Sequence, residues 1–314
     1  MLQENNNSIR KIIPFVIGVI ILGCLLYFVK IENIVETLSE TKLFYFFLAA
    51  IFYLCDQFFA TAKLKQISSL KFSQLFLSHQ GGMFLSQITP SRAGYLFAGY
   101  SIAKKEKKSI SEVLGLISLI QGIMISVKIL SIIFAITYFS FYFAIPNYIY
   151  LSFLVPILML IAIIFILYCK SSKNLLSKIP FLNKGVKYLE LMQKSVKQVS
   201  NKIAIKLIIL DLLGWIFFGI QFFFLIKALG FDLSFLICLM MQPLISAFTF
   251  IPISPSGLGF AESEGAIIFD MLGLQFGTGV AFLFLFRINS IFIDSIGIID
   301  LKTIKIPKKL RNII

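Results

Sequence analysis

Charged side chains lie within the apolar stretches of this sequence, where they could hold a charged group. Arg92 stands in the segment "ITPSRAGY". Glu262 and Glu264 follow the segment "ISPSGLGF", and Arg287 lies in a later apolar run. Charges at the centre of a bilayer cost about 2.5–3.5 kcal/mol on insertion scales, so they usually pair or line a pathway. Four further charges occupy apolar runs, namely Asp56, Lys128, Asp211 and Asp294.

The two quoted segments share one pattern, which is a hydroxyl residue, Pro, Ser, two residues, Gly and an aromatic ring, 165 positions apart. Pro removes a backbone donor and Gly permits unusual backbone angles, so both segments should break a helix. The predicted breakers are Pro90, Gly94, Pro255, Gly257 and Gly259. A helix that starts after such a break offers free N–H groups and a dipole that favour an anion. We therefore expect a substrate-binding site made of Ser91, Arg92, Ser256, Glu262, Glu264 and Arg287.

The charges in the apolar runs and the two helix breaks also have a simpler interpretation from the sequence alone. Broken backbone survives in hydrocarbon where it is buried in protein or lines a wet cavity, and only the second case implies a substrate. Each break could serve helix packing alone, and each charge could belong to a structural ion pair.

The amino-acid composition indicates whether these segments lie in water or in a membrane. Hydrophobic residues make up 58% of the 314 residues, charged residues only 14%, and Phe alone contributes 35. Ordinary soluble domains carry roughly 25% charged residues. The sequence therefore predicts a single all-α, polytopic membrane domain over 1–314, with about six to eight transmembrane helices.

Apolar runs long enough to cross a bilayer mark the candidate spans. They lie at 12–29, 43–62, 112–139, 148–168, 205–229, 233–252 and 277–299. The first follows Arg10 and Lys11 but has no small-residue cleavage site, so we expect a retained anchor rather than a signal peptide.

Basic residues predict the orientation of the chain. The net charge is +14, and residues 170–206 contain nine lysines and one acid. The stretch "KKEKK" and the segment after Leu301 are also basic. By the positive-inside rule these segments and both termini face the cytoplasm of a cell membrane. The lysines should attract anionic lipid headgroups by about 1 kcal/mol each.

Two segments begin and end on one side of the membrane in this topology, yet both have apolar middles. We predict re-entrant hairpins at 74–102, entering from the cytoplasm, and at 233–275, entering from outside. A complete crossing of 233–275 is the alternative. Each hairpin belongs to one of two predicted repeats, 43–139 and 205–299, of opposite topology. Transporters with inverted repeats place their substrate sites near the midplane, where such hairpins would meet.

Other kinds of site find little support in the sequence. His79 is the only histidine, which excludes a His-based metal cluster or catalytic triad. Four cysteines show no metal-binding spacing. We predict no metal, no cofactor and no nucleic-acid partner. The expected partners are membrane lipids with anionic headgroups, while a homo-oligomer stays open.

The combination of "TPSRAG", "PISPSGLGFAE" and an arginine in the final span resembles the flippase-like integral membrane family. This family includes the membrane region of lysylphosphatidylglycerol synthases and many stand-alone proteins. The resemblance covers residues from about 8 to 300. In the family, the first motif typically ends with an acid after Pro-x-Arg-x-Gly. Here Pro90, Arg92 and Gly94 match, whereas Tyr95 occupies the position of that acid.

The resemblance implies membrane helices with re-entrant segments and, for some members, movement of a charged lipid between leaflets. The segment after Leu301 is too short for the soluble aminoacyl-transfer domain of the synthases, so we expect a stand-alone form. We therefore predict a lipid flippase or transporter.

Two alternatives remain. One is a scaffold that docks an enzyme through 170–206, where Val186, Leu189, Met192 and Val196 fall near one helical face. The other is a lipid-linked transferase, whose acids would be Glu262 and Glu264. No recognisable catalytic motif supports it.

Overall fold

The computed structural model describes residues 31–89, 92–143, 154–169, 171–173, 186–248, 254 and 256–304, together with Gly23 and Tyr27. These residues fold almost entirely into α-helices, which agrees with the predicted all-α class. In chain order, the helices are α1 Ile31–Ser39, α2 Leu43–Lys65, α3 Phe72–Ile88, α4 Leu96–Glu106, α5 Ile110–Ser140, α6 Leu154–Tyr168, α7 Val186–Lys197, α8 Asn201–Ala228, α9 Phe235–Phe248, α10 Phe260–Met271, α11 Phe276–Asp294 and α12 Ile298–Thr303.

Long apolar helices confirm that the protein is a polytopic membrane protein. Within the described residues, four helical stretches are long and apolar enough to cross a membrane: 43–65, 110–140, 201–228 and 276–303. Shorter apolar helices lie at 156–168 and 235–246. A helix of about 20 residues spans the hydrocarbon core, so the longer stretches meet this requirement. Most of the predicted first span, 12–29, lies outside the described residues.

The same order of elements occurs twice along the chain. A long helix, a short helix, a break, a short helix and a long helix follow one another in α2–α5 and again in α8–α11. The helix pairs α3–α4 and α9–α10 occupy the segments where we predicted hairpins. Their re-entrant path through the membrane stays a prediction.

Helices α2 and α8, the first of each set, pack side by side and run antiparallel. The N–H of Lys42 donates to the carbonyl oxygen of Ala228 at one end, over 2.8 Å. At the other end, the Lys63 ammonium pairs with the Asp211 carboxylate. Phe rings fill the space between these contacts, as in the Phe59–Phe217 pair. Antiparallel packing at this pair is what an inverted repeat requires.

Polar contacts anchor the hairpin α3–α4 at the end away from its break. The Lys105 ammonium donates to Asp300 of α12 over 2.6 Å, and the Ser101 hydroxyl donates to the same carboxylate. Glu106 accepts hydrogen bonds from residues 68 and 69 in the loop before α3. Partial burial disfavours its ionised form, but hydrogen bonds from Lys108 and from residues 68 and 69 outweigh this effect and lower the pKa of Glu106 to about 2.

The amphipathic part of the basic segment forms α7 and packs within the protein. Leu189 and Val196 are buried, and α7 lies against α5 and α6. The side-chain amide of Gln193 donates to the carbonyl oxygen of Ile166 over 2.8 Å. The apolar face of this helix is therefore covered by the protein's own helices.

Candidate functional site

The two predicted breaks meet in the folded protein. The backbone N–H of Ser256 donates to the carbonyl oxygen of Thr89 over 3.3 Å, which joins the tip of α9–α10 to the tip of α3–α4. Three predicted residues at these tips, Pro90, Ser91 and Pro255, lie outside the described residues.

Side-chain hydroxyls hold the first tip. Thr89 directly follows α3, and its hydroxyl accepts a hydrogen bond from the N–H of Gly94 over 2.7 Å. The Ser86 hydroxyl donates to the carbonyl oxygen of Arg92. Gly94 lies so close to the backbone of α3 that a Cβ at this position would stand 2.3 Å from the carbonyl carbon of Leu85. Arg92 adopts a left-handed backbone conformation, with φ of 56°. A short 3₁₀ turn over 93–95 then leads into α4.

A carboxylate holds the second tip. Gly257 and Gly259 have φ of 70° and 86°, which glycine adopts at little cost. Glu262, in the first turn of α10, accepts the N–H of Gly259 over 2.7 Å. Its other oxygen accepts from Arg287 of α11, and Arg287 also donates to the carbonyl oxygen of Ser256. Glu262 therefore caps a helix and neutralises a largely buried guanidinium.

A cavity of about 550 Å³ lies between the two helix sets, beside both tips. Its walls come from α2, α3, α5, α6, α7, α8, α9 and α11 as well as from the tips. Apolar side chains form most of the surface. The charged side chains that line it are Asp56, Lys63, Arg92, Lys128, Asp211 and Arg287. A mostly apolar cavity with a few converging polar groups is typical of a ligand site.

Hydrogen bonds connect four polar side chains along one wall. The Tyr95 hydroxyl lies 2.8 Å from His79 Nδ1, and His79 Nε2 lies 2.9 Å from the Gln57 side-chain oxygen. The Gln57 amide nitrogen donates to Asp56 over 3.0 Å. With Nε2 protonated, every bond in this row has one donor and one acceptor. Tyr95, which replaces the family's acid, therefore reaches the carboxylate of Asp56 through two intervening side chains.

The structure brings most of the predicted site residues together. Asp56, Arg92, Lys128, Asp211, Ser256 and Arg287 line the cavity. Glu262 acts there through Arg287. Two predicted acids do not line the cavity themselves. Glu264 is buried, and Asp294 accepts hydrogen bonds from Tyr53 and Gln87, which do line it.

Sequence patterns did not identify several lining residues, among them Gln57, Lys63 and His79. Lys63 follows directly after a predicted span, where a lysine usually marks the membrane surface. Its partner Asp211 is 148 positions away, so local patterns carry no sign of the pair.

Comparisons with known proteins agree with this architecture. The family model "Lysylphosphatidylglycerol synthase TM region" matches residues 11–297. The chain is also similar to "UPF0104 membrane protein MJ1078" from Methanocaldococcus jannaschii, with 28% identity over 211 residues, which cover 67% of this chain and 89% of that protein. No solved structure matches the chain significantly. The chain therefore belongs to the family of the lysylphosphatidylglycerol synthase transmembrane region.

Proposed function

We propose that the protein moves a polar or charged phospholipid across the membrane and holds the headgroup in the cavity between the two tips. The observation that carries this proposal is the convergence of cationic side chains on an otherwise apolar cavity at the meeting point of two helix breaks. Acyl chains would stay in the bilayer while the headgroup crosses.

The balance of charge favours an anionic group such as a phosphate. The lining cations are Lys63, Arg92, Lys128 and Arg287, and the lining acids are Asp56 and Asp211. Cations therefore outnumber acids among the lining side chains, while two further acids, Glu262 and Asp294, reach the cavity only through residues that line it. Arginine presents several N–H donors in one plane, which suits the oxygens of a phosphate.

Basic residues outside the cavity support the same proposal. We infer that the protein lies in the cell membrane with both termini in the cytoplasm, because the basic segments would then follow the positive-inside rule. Lysines of 170–206 at the inner surface would attract anionic lipids towards the protein.

The alternatives find less support in the geometry. A scaffold that docks an enzyme through α7 needs an accessible apolar face, but Leu189 and Val196 are buried. For a transferase, the two acids that the sequence suggested as catalytic are poorly placed. Glu262 is bound to Arg287, and Glu264 does not line the cavity.

Arg92→Gln tests the proposal in vesicles that contain the purified protein and a fluorescent anionic phospholipid. We expect at least about a tenfold loss of lipid movement, since hydrogen bonds to charged groups contribute about 1.5–3 kcal/mol. The thermal unfolding temperature should stay unchanged, because glutamine tolerates the left-handed backbone no worse than arginine. Lys104→Gln, at an exposed lysine of the same hairpin, is the matched control. Unchanged movement in Arg92→Gln would contradict the role of Arg92, and absence of movement in the wild type would contradict the function.

A further inference from the structure

Glu264 is a buried acid that does not line the cavity. It is 2% exposed, and it is not among the residues that line the cavity. One of its carboxyl oxygens, Oε1, has no hydrogen-bond partner, and none of the ion pairs in the described part of the chain includes it. Glu262, two residues earlier on the same helix, is equally buried but bonded to Arg287.

The residues one turn before and one turn after Glu264 on its helix face are apolar. Ala261 and Ile268 lie three residues before and four residues after it, on the same face of α10, and both belong to the largest apolar cluster. Helices α9 and α11 pack against α10, and α1 packs against α11. The charged or titratable side chains of these neighbours are Cys238 in α9, Arg287 and Asp294 in α11, and Glu32 and Glu36 in α1. None of them pairs with Glu264 in the described structure.

An ionised carboxylate without a countercharge is very costly in such a place, and the group avoids this cost by taking up a proton. A bound metal cation would need several oxygen ligands. The described residues contain no group of three or more His, Cys, Asp or Glu side chains that could hold one. A carboxyl group binds a proton without any further ligand.

We propose that Glu264 binds and releases a proton during each transport cycle and so couples lipid movement to a pH gradient. This inference rests on the proposed transport function. On release, the O–H bond of the carboxylic acid breaks, water accepts the proton, and the electron pair stays on the carboxylate. The reverse step takes a proton from water on the other side of the membrane.

Helix α10 links this proton to the cavity. Glu262 of this helix accepts a hydrogen bond from Arg287, and Arg287 also donates to the carbonyl oxygen of Ser256. The N–H of Ser256 in turn donates to Thr89 and so joins the two tips. Once Glu264 is ionised it requires water, so α10 must shift to expose it. That shift would pull on the contacts between the tips, and loss of the proton would therefore open the cavity.

The test uses vesicles with the full-length protein, a fluorescent anionic phospholipid and an imposed pH gradient. For one proton per lipid, a gradient of one pH unit should change the equilibrium distribution of the lipid between leaflets about tenfold. We expect Glu264→Gln, which cannot release a proton, to keep the cavity closed and so to lose both lipid movement and the response to the gradient, while its thermal unfolding temperature stays that of the wild type. Asp270→Asn, at an exposed acid of the same helix, should behave like the wild type.

Each outcome separates the two proposals. A wild type that moves lipid with no response to the gradient overturns the proton inference and leaves the transport function intact. A Glu264→Gln variant that still follows the gradient also overturns it. If the wild type moves no lipid, the transport function fails, and infrared spectroscopy decides the proton site. A protonated carboxyl band at neutral pH, absent in Glu264→Gln, would support a proton on Glu264, and its absence in the wild type would refute it.

Discussion

At the tip of α3–α4 the hydroxyls of Ser86 and Thr89 hold the backbone, whereas at the tip of α9–α10 the carboxylate of Glu262 does so with the help of Arg287. The described side-chain contacts of the first tip come from hydroxyl groups, and Arg92 lines the cavity. The second tip pairs its arginine with an acid. Two segments with the same arrangement of Pro, Ser and Gly therefore differ in their contacts: one carries an arginine that lines the cavity, and the other carries the acid that holds its own turn.

The largest expected effect comes from breaking the ion pair of the second tip. Glu262→Ala removes the acceptor for the Gly259 N–H and leaves Arg287 without its acid. Breaking a buried pair in this way costs about 3–5 kcal/mol, so we expect the free energy of unfolding of the purified protein to fall by that order. Thermal unfolding in detergent measures it.

A double variant controls for the loss of charge. Glu262→Ala combined with Arg287→Met removes both partners, and we expect it to recover part of the lost stability because no buried charge remains unpaired. If Glu262→Ala is as stable as the wild type, the carboxylate does not hold the second tip.

Glycine substitutions should destabilise both tips, each for its own physical cause. Gly94 needs space, since a Cβ there would meet the backbone of Leu85 at 2.3 Å, whereas Gly259 needs an unusual backbone conformation, with φ of 86° and ψ of −45°. This conformation lies outside the left-handed region that asparagine tolerates. We therefore expect Gly259→Ala and Gly259→Asn to destabilise the protein about equally, by roughly 1–3 kcal/mol for a residue held in a sparsely populated conformation.

At position 94, alanine and asparagine should both destabilise the protein, because each adds the clashing Cβ. Unfolding temperatures of the four variants give the comparison. Tolerance of either residue at position 94 would contradict the close approach of Gly94 to α3, and tolerance of either at position 259 would contradict the need for a glycine conformation there.

The smallest expected effect concerns the row of hydrogen bonds beside the first tip. Tyr95→Phe removes the hydroxyl next to His79, and a typical hydrogen bond contributes about 0.5–1.5 kcal/mol to stability. We expect a loss of that size in the free energy of unfolding. Tyr142→Phe, at an exposed tyrosine, is the control and should change nothing. A loss in both variants would show that the effect is not specific to the bond with His79.

The amino-acid sequence by itself predicted the helical membrane class, the two breaks and six of the charged or polar residues that line the cavity. These features depend on local properties, namely hydropathy over about 20 residues and the backbone limits of Pro and Gly. The family, too, was recognisable from the motifs around Arg92 and Glu262.

Only the tertiary structure decided how the charges pair and which of them face the cavity. Lys63 pairs with Asp211 because α2 and α8 run antiparallel. Arg287 pairs with Glu262 because α10 packs against α11. Glu262 and Glu264 are neighbours in the sequence, but a helix turns about 100° per residue and sends them to nearly opposite faces. One therefore supports the cavity through Arg287, and the other is buried without lining the cavity.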